Sequence, residues 1–393
     1  MTYRRAVIPA AAGGLLLTAL LWWAGASAHA LQLPGTANVV DIPTATEFMS
    51  WLTPWSYDPP FALQPGGDVP SGGQVFGGAG DAALADSAHY LSLYTTGMQV
   101  RFGAVFVFFV LGALLLVRRM PPVRGRTPAT LLAVWAWGLV AGTLAVTVSA
   151  PWLLASQGHA SFRLLPHLAS VVASGRQVLV GASLAAAAAT VFIARIAAKG
   201  TDPLPQNAVP ARAARLAATV GTAVVAFSVV VLSYLPVAAA LQTVSPRMGL
   251  ISEPGDLLRQ WLLLGGWAGP AGTPLVDWLL YRATDVLLLA VVWWALRRLP
   301  GLLTRATVPA MAVGSVCATV LGLLASQLLR MVLDWASPGG GLLRSFAGFG
   351  EAVPAALTCG LAAGVAAAVT LRSVAGRTAP TGTAPADQQP AQP

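Results

Sequence analysis

The sequence predicts an all-α integral membrane protein, a polytopic helical bundle of about eight transmembrane helices, or seven if the first is removed as a signal peptide. Three observations carry that expectation. Hydrophobic residues make up 56% of the 393-residue chain and charged residues only 9%, whereas charged residues alone approach a quarter of a soluble domain. Eight stretches are apolar over the length needed to cross about 30 Å of hydrocarbon. The basic residues concentrate between those stretches on one side, as short cytoplasmic loops require.

The first stretch, near 6–27, follows Arg4 and Arg5 and ends in small residues, with Ala26 and Ala28 placed as a signal peptidase prefers. It reads either as an uncleaved anchor, which its length favours, or as a signal peptide. Either way residue 31 onward lies outside. Residues 28–100 then form an extracytoplasmic loop or small subdomain. Its first half is aromatic and suited to packing on the membrane surface or the bundle. The part from 66 to 80 is glycine-rich and flexible, and a short helix over about 82–99 leads into the second span.

The remaining spans lie near 102–117, 129–153, 177–194, 214–240, 283–296, 306–332 and 351–371, making residues 101–372 a seven-helix membrane bundle. The sixth is short unless it begins near Val276. Two outer segments belong to this bundle. Residues 157–176 have the composition of an interfacial helix. Residues 253–282 are rich in tryptophan yet broken by "GPAGTP", with 256–267 able to form an amphipathic helix. That helix has too few apolar residues to span, so the segment is interfacial or re-entrant, and a dip into the membrane implies a neighbouring cavity. Residues 373–393 end in "TAPTGTAPADQQPAQP", the composition of a disordered cytoplasmic tail.

Counting charges on this topology places 15 basic residues and two acids, Asp202 and Asp387, inside, a balance of +13 against −4 outside, which together give the formal +9. Both termini are therefore cytoplasmic, with the N-terminus extracytoplasmic if the first segment is cleaved. Twenty-two of the 23 basic residues are arginine, and with abundant alanine, glycine and proline the chain reads as a bacterial plasma-membrane protein. The high isoelectric point is a topology signal and points to no nucleic acid, whose binding needs basic and aromatic residues on one solvent face.

Candidate ligand-binding residues are the ionisable groups at or inside span ends. Arg101, Arg176, Arg282 and Arg344 each stand at or before the outer end of an inward-running span. They read either as head-group anchors or as guanidinium groups that grip an anionic lipid or lipid-phosphate. Asp285, three residues after Arg282, suits a local helical ion pair, and Glu351 opens the eighth span where the helix dipole favours an acid. No acid, lysine or histidine lies near a predicted midplane, which weakens a proton- or sodium-coupled transport reading.

Enzyme motifs are absent: the chain has no phosphate loop, zinc-protease helix or nucleophile elbow. An extracytoplasmic-face envelope enzyme acting on a polyprenyl-phosphate substrate would have to use loop acids, of which Asp41 and Asp58 are the candidates. A copper-handling protein would use His29, His89, His159 and His167, although no pair has ligand spacing. Cys317 and Cys359 sit in apolar sequence and read as packing residues. Small residues such as Gly360 and Gly364 suit close helix packing within the chain, or against itself or a membrane-protein partner. The leading expectation is thus a non-enzymatic, permease-like or accessory subunit of a membrane or cell-envelope complex, contacting the lipid bilayer and needing no cofactor.

Overall fold

The structure, a computed structural model, describes residues 3–32, 42–59, 80–122, 125–156, 164–198, 210–243, 254–270, 274–304, 306–335 and 348–378. These residues form α1 (Tyr3–Ser27), α2 (Ile42–Leu52), α3 (Gly80–Arg119), α4 (Thr127–Ser156), α5 (Leu164–Ala173) and α6 (Arg176–Ala197). They continue with α7 (Ala211–Ala226), α8 (Leu235–Gln242), α9 (Gly255–Leu262), α10 (Leu275–Leu302), α11 (Val308–Trp335) and α12 (Val353–Thr378). No strand occurs among the described residues, and eight helices there are long and apolar enough to cross a membrane. Large apolar side chains such as Trp23, Phe192, Val286 and Val369 stand exposed on the outside of the bundle, the surface a bilayer solvates.

Local sequence explains many of the helix starts. Pro43, Pro128, Pro236, Pro309 and Pro354 each hold the second position of a helix, where the missing N–H costs nothing and the fixed φ is already helical. Several expected boundaries shift. The helix expected over 82–99 and the second span are one continuous rod, because α3 has no proline or chain break across residue 100. The sixth span is full length, starting at Leu275, since Leu275 to Leu280 add exposed apolar turns before Arg282. The last helix runs on to Thr378, so the first residues of the expected tail continue α12. The expected flexible stretch at 66–80 lies outside the described residues but for its last residue, Gly80, the first of α3.

The eight spans form two groups with the same neighbour order. In the first, α1 lies beside α3, α3 beside α4, α4 beside α6, and α6 closes back on α1. In the second, α7 lies beside α10, α10 beside α11, α11 beside α12, and α12 closes back on α7. The groups meet mainly where α4 crosses α11, and there the buried Cys317 thiol donates to the Ala133 carbonyl at 3.3 Å. Within the second group α11 and α12 touch backbone to backbone. A Cβ on Gly364 would come within 2.5 Å of Ala312 Cα, and one on Gly360 within 2.7 Å of Val316 Cα, the close approach that small residues permit in lipid.

One end of the bundle is fixed by the Thr304 N–H donating to the Arg119 carbonyl at 3.0 Å, and by Ala6 packing with Val117 and Ala194. α1 begins and α12 finishes at this proximal end. The opposite, distal end carries the connections that interrupt the regular bundle, and the two groups build theirs differently.

In the first group, the connection after α1 folds down as a plug. α2 leads into a 3₁₀ turn, Thr53–Trp55, whose indole is 1% exposed. The Trp55 Nε1–H donates to the Gly175 carbonyl at 2.8 Å, and Tyr57 stacks on Phe102 at 5.3 Å. Gly25 of α1 accommodates the plug: a Cβ there would lie 1.9 Å from the Trp55 carbonyl oxygen.

In the second group the fifth span, Ala211–Leu232, ends before the stretch expected for it does. α7 passes into a π-helical turn, Phe227–Leu232, and breaks at Ser233 before α8 resumes. The expected continuous span over 214–240 is therefore interrupted. The cause is a pairing that the run itself does not contain. Trp267 N–H donates to the Ser233 carbonyl at 2.9 Å, Leu235 N–H donates to the Trp267 carbonyl at 2.8 Å, and the Trp267 indole donates to the Val230 carbonyl at 3.0 Å. Backbone groups freed by the break are thus satisfied by another part of the protein.

Candidate ligand site at the distal face

The segment 254–270 decides the shape of this site. α9 ends at Leu262, five residues earlier than the helix expected over 256–267, and the chain then runs without helix, bending at Leu264, to Trp267. The last carbonyls of a helix have no partner within it. Here Thr358 Oγ1 donates to the Trp261 carbonyl and Ser228 Oγ donates to that of Leu262. Thr358 lies five residues into α12, so at 1.5 Å per residue the segment reaches about 7.5 Å below that helix end. It is re-entrant.

Between this segment, α5, the start of α6, α10, α11 and the turn before α12 lies a cavity of about 500 Å³, within the range of small-ligand sites. Arg176, Arg259 and Arg330 line it, as do Asp256, Asp285 and Glu351. The acids are engaged to different degrees. Arg282 Nη1 donates to Asp285 Oδ2, and Arg330 Nη2 to Asp285 Oδ1 at 3.1 Å, while Arg330 Nε donates to Thr284 Oγ1 at 3.0 Å. The Gln242 amide donates to Asp256 Oδ1 at 3.2 Å. Glu351 faces the Arg176 guanidinium electrostatically. Arg176 Nε also donates to the Ala173 carbonyl at 2.6 Å, which fixes the guanidinium stem at the break between α5 and α6.

The wall beside Glu351 is conformationally unusual. Gln327 of α11 clamps it: its amide nitrogen donates to the Glu351 carbonyl at 3.0 Å, and its oxygen accepts from Gly350 N–H at 2.9 Å. Next to this clamp Ala352, a cavity-lining residue, has φ +63°, in the left-handed region that costs an alanine free energy. Such strain persists where the surrounding contacts over-determine it, and here two side-chain bonds from Gln327 do so.

The ionisable residues expected from sequence separate into distinct places. Arg176, Asp285 and Glu351 meet at the cavity, and Arg282 stands behind its wall, pairing with Asp285 and lying 5.5 Å over the Trp267 ring. Arg101 belongs to the other group. It is 2% exposed, Nε donates to Ser149 Oγ at 3.0 Å and Nη1 to the Pro54 carbonyl, and its guanidinium lies 5.8 Å from the Trp55 ring. Arg344, Asp41 and His159 lie outside the described residues. Asp58 closes a turn in the plug, accepting from the Ser56 hydroxyl at 3.1 Å. His89 is on α3, His167 on α5 and His29 in the turn after α1, the side chain of His29 lying outside the described residues. Among the described residues no three His, Cys, Asp or Glu side chains gather as a metal site.

Four lining residues escape sequence reasoning: Arg330, Arg259, Gln327 and Gly265. Arg330 stands at the distal end of a span running the other way from those compared, so only folding brings it to Asp285. The pair Gly265–Gly266 inside a tryptophan-rich run is the one local sign that backbone lines the space. No family model, curated protein or solved structure matches this chain.

Proposed function

We propose that this chain is a non-enzymatic, permease-like component of a bacterial plasma membrane, and that the distal cavity is its ligand chamber. The observation that carries the reading is the charged cavity bordered by segment 254–270, which pairs with the helix break that follows the fifth span. Discontinuous spans whose freed backbone and charged side chains surround a cavity are how transporters build binding sites in lipid. The chamber also lies where the two groups adjoin, since α5 and Arg176 come from the first and the rest from the second.

Charge placement supports its direction. The excess of arginine at the proximal loops makes that side cytoplasmic, so the chamber opens to the outside and both chain ends lie within the cell. α1 is retained as a span in this reading, because Leu17 and Leu21 are fully buried against the bundle. The alternative of an envelope enzyme has less support, since Asp58 serves a turn in the plug and not the chamber.

Single-cysteine labelling of intact cells tests the proposal, in a background with Cys317 and Cys359 changed to alanine. Ser170→Cys and Gln327→Cys should react with a membrane-impermeant maleimide, and Arg212→Cys only after the cells are opened. Labelling of residue 212 from outside would overturn the orientation. Protection of both chamber positions under all conditions would overturn the chamber.

A further inference from the structure

The chamber's charges are unevenly engaged. Three guanidinium groups, Arg176, Arg259 and Arg330, line it with three carboxylates, Asp256, Asp285 and Glu351, and Arg282 reaches Asp285 from behind the wall. Asp285 is shared by two of the arginines and Asp256 is held by Gln242. Arg259 is exposed and, among the described residues, its guanidinium has no hydrogen-bond or ion-pair partner. Its guanidinium is thus the lining cation that no protein group there engages.

Main chain borders the same space. Gly265 and Gly266 line the chamber outside any helix, and among the described residues no hydrogen bond uses their N–H groups. A Cβ on Gly265 would lie 3.9 Å from Arg330 Nη2, its nearest neighbour, while one on Gly266 would meet nothing within 4 Å. Main chain and guanidinium therefore border a common gap that no protein atom fills. Unused backbone N–H groups beside an arginine form an anion cradle.

From these observations we propose that the chamber binds a phosphate-class oxyanion, gripped by Arg330, Arg259 and Arg176 with the Gly265 and Gly266 N–H groups. This deepens the chamber reading and rests on it. The geometry favours a tetrahedral group. The three guanidinium groups come from three different elements, α6, α9 and α11, and offer more donors than a planar carboxylate needs, which one bidentate fork satisfies. The three acids set an upper limit on ligand charge: a mono- or dianion is accommodated, and a polyanion such as a nucleoside triphosphate is repelled. Free phosphate and the phosphate of a lipid head group share this chemistry.

Isothermal titration on the full-length protein in neutral-lipid nanodiscs distinguishes the outcomes. The probes are inorganic phosphate, short-chain dihexanoyl phosphatidic acid and, as the planar comparator, acetate. Binding of inorganic phosphate, or of the short-chain lipid alone, supports the assignment and identifies the free or lipid-borne source. Arg259→Gln and Gly266→Asp should each weaken binding by about tenfold or more. Both positions face open space, so melting temperature should stay unchanged, and Arg215→Gln at the far end should leave affinity unaltered. Acetate binding as tightly as either phosphate probe would overturn the proposal, and so would phosphate binding that is insensitive to both variants. If no probe binds while positions 170 and 327 still label from outside, the oxyanion assignment fails and the chamber stands. If labelling fails as well, both fall.

Discussion

The two four-helix groups place the same pair of side chains at the same point of their design and use it in opposite ways. In each, a tryptophan from the connection between the first and second spans lies over an arginine near the distal end of the second: Trp55 with Arg101 at 5.8 Å, and Trp267 with Arg282 at 5.5 Å. In the first group the tryptophan is driven into the core, and its arginine is buried among neutral acceptors. In the second the tryptophan pairs with a broken helix, and its arginine reaches a carboxylate that a further arginine shares. The difference shows what turns a membrane bundle into a container. A helical connection folded inward seals one group, whereas a non-helical stretch bonded to a helix break leaves room for a polar space in the other.

Breaking the seal should have the largest effect. Arg101→Ala removes the donors to Ser149 and Pro54 and leaves a buried void beneath Trp55. It should cost roughly 3 kcal/mol, read as a fall in melting temperature and folded yield in detergent. A melting temperature within error of the parent would show that the plug is not held by this residue. Next, Gly25→Val forces a side chain against the Trp55 carbonyl and should cost about 1–3 kcal/mol by overpacking. Its readout is release of the plug, seen as faster proteolysis between α2 and α3.

Effects in the open group should be smaller, because its charges keep contact with the cavity. Asp285→Asn leaves Arg282 and Arg330 side by side without their shared acid and should cost about 1–2 kcal/mol. Adding Arg282→Gln should restore part of that loss, and a double-mutant cycle without coupling would contradict the cluster. Trp267→Phe keeps the ring but removes the indole donor to Val230. It should cost about 1 kcal/mol and loosen the break, visible as faster amide exchange over 230–235. The smallest effect belongs to Ser228→Ala. It leaves the Leu262 carbonyl with the weak Cys359 thiol contact at 3.9 Å and should cost about 0.5–1 kcal/mol.

The bundle itself was legible in the sequence because lipid imposes a compositional rule that each apolar stretch satisfies by itself. That 253–282 does not span was legible for the same reason, since α9 is too short and polar to cross. The break after the fifth span was not, because 214–240 is apolar throughout and its interruption depends on Trp267, more than thirty residues further on. Pro236 is the one local sign, as a proline within a helical run has no N–H to donate and its ring clashes with the carbonyl four residues earlier. The pair formed by Arg282 and Asp285 follows from helical spacing alone. Arg330 joins them only because α11 packs on α10, a contact that no periodicity encodes. Arg101 shows the opposite limit: its position at a span end suggested an anchor, but burial beneath Trp55 depends on a plug whose fold the glycine- and proline-rich loop does not announce.

Amide hydrogen exchange of the protein in nanodiscs tests the central claim, one sealed group and one open chamber, most directly. The amides of Gly265 and Gly266 should exchange within seconds, while those of Ser56 and the Met98–Phe102 stretch stay protected for hours. Protection of both regions alike, or faster exchange at the plug than at the re-entrant segment, would contradict the account.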